Sequence, residues 1–164
     1  MLLHAGTGSI STGGHVKLSS GISSSASSGN INIETHSSDM GNSGGIMLGT
    51  GMAINGRSGS VKISTGSGIS QGSGISMVVG SSKSKGGNII FTSGESQIST
   101  GGHLRMLTGA SDVGYSGNIR VETAISSGAA SGNFNVKTGS SVADSGRFIL
   151  ATGDSMKHGG DVII

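Results

Sequence analysis

Cysteine, proline and tryptophan are missing from this 164-residue chain, and aromatic residues make up 2% of it. Without cysteine there are no disulfides and no thiolate metal ligands, and the redox compartment is left open. Without proline, and with no three-residue glycine period, a collagen triple helix is excluded. Charge is scarce, at 11% of residues and a formal net charge of +2. Such a balance is too weak for a polyanion-binding stripe, so no nucleic-acid partner is expected. No run approaches the ~20 apolar residues of a membrane helix, so no membrane insertion is expected. The opening "MLLHAGTG" has no basic region and too short an apolar run for a signal peptide.

Small residues fill the space these absences leave. Glycine supplies 33 positions, and serine is about as frequent. That bias often marks a flexible linker or disorder. Yet 32% of residues are hydrophobic, and they are regularly spaced. Taking the first apolar residue of each repeat as an anchor gives Met1, Val16, Ile31, Ile46, Val61, Ile75, Ile89, Leu104, Ile119, Phe134, Phe148 and Val162, always 15 or 14 apart. A second apolar column follows two residues later, as in Leu18, Ile33, Ile63 and Val136. Two further on is a threonine-rich column, with Thr35, Thr50, Thr65, Thr108, Thr123, Thr138 and Thr152. Glycine usually comes next, and Ser-Gly or Gly-Gly closes most repeats. Twelve paired anchors in this register argue against a disordered linker.

Apolar, variable, apolar, variable, threonine is period two, the pattern of a half-buried strand. A second, weaker strand is expected six residues before the next anchor, at Ile10, Met40, Ile69, Ile98, Val113, Val142 and Met156. The 14-residue repeats fit best if one residue is dropped just before that strand. Glycine at each end is expected to provide a corner with positive φ. Two strands and two corners per repeat predict an all-β chain. It is a flattened two-sheet β-solenoid of 14–15-residue rungs, about 11–12 in number, forming one array over residues 1–164. Stacked at about 4.8 Å, the rungs would make a rod roughly 50 Å long. Anchors would face inward, threonine hydroxyls would ladder, and Asn30, Asn88, Asn118 and Asn133 would stack their amides at a corner. The chain stops mid-repeat on "GGDVII" with no polar cap at either end, so a segment of a longer solenoid is expected.

The repeat "SGSVKISTG", respelled as "SGNFNVKTG" and "GGHLRMLTG", resembles the Gly/Ser-rich tandem-repeat β-solenoids of extracellular fibres, adhesins and algal surface or flagellar-hair proteins. The resemblance spans the chain. It implies a structural role outside the cell or at its surface, and it carries over no catalytic residue.

A search for chemistry returns little. "GISQG", Gly68 to Gly72, matches a nucleophile-elbow spelling at Ser70, but no helix is expected after it and chance matches abound in such a composition. His15 and His103 share a column six repeats apart, too far for a common zinc ion. The aspartates do not follow the calcium-binding nonapeptide. The expectation is no enzyme, no cofactor and no metal. Lys17, Lys62, Arg105 and Arg120 share an outward column, with Glu122 close to Arg120, and read as a solvated edge. There is no N-glycosylation sequon, while exposed serines are chemically able to carry O-glycans, with nothing marking which.

Outward apolar residues are the remaining signal. Leu2, Met47, Val78, Ile90, Leu107, Ile149 and Ile163 fall on the solvent side of the expected strands, where they would serve as lateral contacts. The partners expected are other copies of the chain, met laterally or end to end, or neighbouring fibre subunits, with a glycan as a further candidate. A self-associating structural rod is thus the first reading. A module that displays a regular face to ice or a polysaccharide is the alternative. It is disfavoured because the threonines share the inward side of the anchors. A carbohydrate-cleaving solenoid ranks last for want of a carboxylate cluster.

Overall fold

The computed structural model describes residues 2–10 and 12–164; Met1, placed in the anchor column above, lies outside the described residues. The chain divides into two units, Met1–Val78 and Val79–Ile164. Among the described residues there is no helix and no β-strand, so the expected all-β solenoid is not formed. A stacked solenoid would hold each residue about 4.8 Å from its counterpart one rung on. Instead, nearly all close backbone approaches join residues fewer than 12 apart. The repeats are therefore built locally and are not laid on one another as rungs.

Each unit consists of arms without regular secondary structure joined by pinched loops. An arm runs from the glycine before the anchor to the threonine column, and the following residues loop out and return. Four necks are closed by backbone hydrogen bonds. Gly14 N–H donates to Gly6 C=O at 2.8 Å, Gly29 to Gly21 at 3.1 Å, Gly102 to Gly94 at 2.9 Å and Gly117 to Gly109 at 3.1 Å. Loops of this size whose ends meet are Ω-like. No other backbone–backbone hydrogen bond occurs among the described residues. A folded domain makes about one internal hydrogen bond per residue. Beyond the glycines at the necks, the described arms thus leave their N–H and C=O groups to solvent.

The corners also differ from expectation. No described glycine, nor any other described residue, has positive φ. The turn is spread over a loop tip instead, with bends at 24–26, 39–41, 54–56, 97–99, 112–114 and 127–129 in the 15-residue repeats. A serine hydroxyl caps most of these tips. Ser23 Oγ accepts from Ala26 N–H at 2.9 Å, Ser38 from Gly41 at 3.1 Å and Ser111 from Gly114 at 2.8 Å. Ser96 and Ser126 do the same for Ser99 and Ala129. In the 14-residue repeats the cap reaches only two residues on, from Ser82, Ser141 and Ser155 to Ser84, Ala143 and Lys157. The missing residue is taken from the loop, and the arms keep their length. Such side-chain turns let serine satisfy the backbone where regular structure does not.

Glycine matters at the neck for its missing side chain. A methyl placed on Gly14 would lie 3.0 Å from Gly6 N and 3.2 Å from Ala5 Cβ. One on Gly87 would lie 2.7 Å from Val79 Cγ1. Close approach of two chain segments needs hydrogen there.

No described residue is buried, polar or apolar. The accessible surface is 17325 Å² for 16.0 kDa. A folded monomer of that mass exposes roughly 7,400 Å² and its extended chain roughly 23,000 Å². Most of the surface of the extended chain thus stays in water. Ile63 and Val136, expected inside, are 63% and 57% exposed. The second-strand column is corrected further. Its residues sit on loop tips and are fully exposed, from Met40 and Ile98 at 99% to Val142 at 111%. The physical reason lies in the composition. Two apolar side chains per repeat, facing serine and glycine, offer little burial against the ordering entropy of a glycine-rich chain.

Candidate functional site

The arm is the unit that recurs, so its exposed groups define the surface available to a partner. Anchor side chains are half exposed, from Val162 at 45% to Leu104 at 68%. Alternation in the sequence survives as a gradient of exposure in most repeats, although Ile149, at 62%, matches its neighbour Phe148. The expected lateral contacts Leu2, Met47, Val78, Ile90, Leu107, Ile149 and Ile163 all lie on arms and are well exposed. The anchors are accessible too, so the exposed apolar surface is wider than the outward column alone. The tip residues Ile10, Met40, Ile69, Ile98, Val113, Val142 and Met156 add a fully exposed apolar group to most loops. Sequence reasoning placed them on an inner strand. The signal that could have moved them outward is the serine one or two residues before Met40, Val113, Val142 and Met156, a turn former at every one.

Threonine side chains face the neck of their own loop. A methyl on Gly44 or Gly59 would lie 3.3 Å from Cγ2 of Thr35 or Thr50, and Gly117, Gly132, Gly146 and Gly160 repeat the relation with Thr108, Thr123, Thr138 and Thr152. Thr35 Oγ1 donates to Gly44 C=O at 3.0 Å, across the neck. The hydroxyl ladder expected between rungs is replaced by this contact within one repeat. Nor is there an amide ladder, since no hydrogen bond joins Asn30, Asn88, Asn118 or Asn133 to one another.

The one ion pair among the described residues follows the sequence reading. Glu122 Oε2 accepts from Arg120 Nε at 2.8 Å and from Nη2 at 2.5 Å, with the Arg120 side chain 81% and the Glu122 side chain 61% exposed. A pair so open to water typically contributes between nothing and about 1 kcal/mol. Lys17, Lys62 and Arg105 stand exposed on their arms. The described residues enclose no cavity and hold no group of three side chains able to share a metal ion. Ser70 lies on a bend, with no hydrogen bond to a histidine or an acid among the described residues. No described helix is long and apolar enough to cross a membrane.

No protein-family model matches the chain, and no curated protein and no solved structure is significantly similar to it.

Proposed function

We propose that this chain is a structural repeat segment of an extracellular filament or surface fibre, that it is not an enzyme, and that it associates with further copies of itself or with neighbouring fibre subunits. The observation that carries the reading is the arm. Repeat after repeat, the same pair of accessible apolar side chains stands on a backbone that, beyond the glycines at the necks, makes no backbone–backbone hydrogen bond among the described residues. Unpaired extended backbone is a template for another chain. Burying one large apolar side chain fully is worth about 1.5–3 kcal/mol, and half-shielded anchors retain roughly half of that. Each contact is modest, and the repeat multiplies it along the chain. With charge at 11% of residues, long-range repulsion between copies is weak.

The test is sedimentation velocity over a range of protein concentration, with negative-stain electron microscopy of the same samples. Self-association gives a sedimentation coefficient that rises with concentration, together with elongated polymers or bundles. A chain that stays monomeric at every concentration, with no elongated particles, contradicts the proposal.

A further inference from the structure

The loop tips differ in one respect that bears on the chemistry of the chain. In five 15-residue repeats a serine hydroxyl holds the amide three residues on: Ala26, Gly41, Ser99, Gly114 and Ala129. At the equivalent place in a sixth repeat stands Ala53, which has no hydroxyl. The amide left without that acceptor is Gly56 N–H, which makes no hydrogen bond among the described residues. Asn55, immediately before it, is exposed on the bend at 54–56. Apart from its chain neighbours, nothing lies within 4 Å of a methyl placed on Gly56, so no other segment crowds this step. Asn55–Gly56 is the sole Asn-Gly step in the chain. The other asparagines precede isoleucine, phenylalanine, valine or, at Asn42, a serine.

We infer that Asn55 is a self-modification site, at which the Gly56 amide attacks the Asn55 side chain and converts the residue to aspartate or isoaspartate. The Gly56 nitrogen loses its proton to hydroxide and forms a bond to Asn55 Cγ. The Cγ–Nδ2 bond then breaks, the leaving nitrogen takes a proton from water and departs as ammonia, and hydroxide is regenerated, leaving a five-membered succinimide. Water opens that ring at either carbonyl. One opening gives aspartate. The other routes the main chain through the side-chain methylene and gives isoaspartate. Both create a carboxylate beside Arg57 and lower the formal net charge from +2 to +1. No oxidant, metal or enzyme is needed.

Sequence and fold each contribute. Glycine leaves the attacking nitrogen uncrowded. The missing serine leaves its peptide plane free to rotate toward the side chain, where a capped amide is held in the turn. The second contribution separates this site from any Asn-Gly pair in an unstructured chain.

The experiment is incubation of the full chain at mildly alkaline pH and physiological temperature. Peptide mapping by mass spectrometry follows each asparagine, and cation exchange follows the acidic product. Asn55 is expected to convert well ahead of the other asparagines, and faster as pH rises. Ala53→Ser, which restores the cap, is expected to slow it several-fold. Gly56→Ala, whose methyl has open space, is expected to bring it down to the rate of the others. Conversion of Asn42 as fast as Asn55 overturns the site. An unchanged rate in Ala53→Ser overturns the role of the missing cap.

Discussion

At the residue scale, glycine and serine divide the labour that proline and regular ladders perform elsewhere. The expectation that glycine turns the corner through positive φ is not met at any described position. Its contribution is space at the neck, and it differs from one glycine to the next. Gly14 and Gly45 form a controlled pair. A methyl on Gly14 meets Gly6 N at 3.0 Å, while one on Gly45 meets nothing within 4 Å. Gly14→Ala is expected to break the Gly14–Gly6 bond at a cost of about 1 kcal/mol, read as a roughly fivefold faster exchange of that amide. Gly45→Ala is expected to leave exchange unchanged or slightly slower, because alanine restricts the unfolded chain. Amide hydrogen exchange by NMR measures both. Serine was legible only as bulk composition, although its place beside the tip residues is what sets the turn. Ser111 and Ser38, each followed by aspartate and an apolar residue, show the pattern most plainly.

At the scale of the element, the repeat was readable and its pairing was not. Period-two alternation predicted strands, and the arms carry no strand among the described residues, while the 14-residue repeats do lose their residue in the loop. The step from alternation to strand failed because a strand needs a neighbour. Ile63 and Val136 alternate as a buried strand should, yet neither arm is paired by backbone hydrogen bonds among the described residues. Alternation reports which side chains can share a face; it does not report which chain provides the other face. Deletions separate the two kinds of segment. Removing Ser127 from a loop tip turns a 15-residue repeat into a 14-residue one and is expected to leave assembly intact. Removing Asn32 from an arm moves Ile33 to the opposite face and is expected to weaken assembly. Light scattering during polymer growth measures both, and equal effects would contradict the distinction between arm and loop.

At the scale of the whole molecule, a chain of 16.0 kDa with 17325 Å² of accessible surface has most of its interaction capacity unspent. Composition pointed to this more directly than periodicity did. Thirty-three glycines and no proline leave a large ordering entropy, and two apolar side chains per repeat are a small return when one chain closes on itself. Between chains the same groups add up over every repeat, as in stacked cross-strand assemblies. Exposed backbone that soluble proteins usually blunt with charge or proline is left plain here, as the proposed pairing between chains requires.

The most direct measurement is amide hydrogen exchange of the arms, compared between dilute monomer and concentrated assembly. Arms that are open in the single chain and paired between chains predict near-intrinsic exchange across Ile31–Glu34 and Ile119–Glu122 when dilute, and strong protection of the same amides once assembled. Protection already present in the dilute monomer would mean that the repeats stack within one chain, and would contradict the open architecture described here.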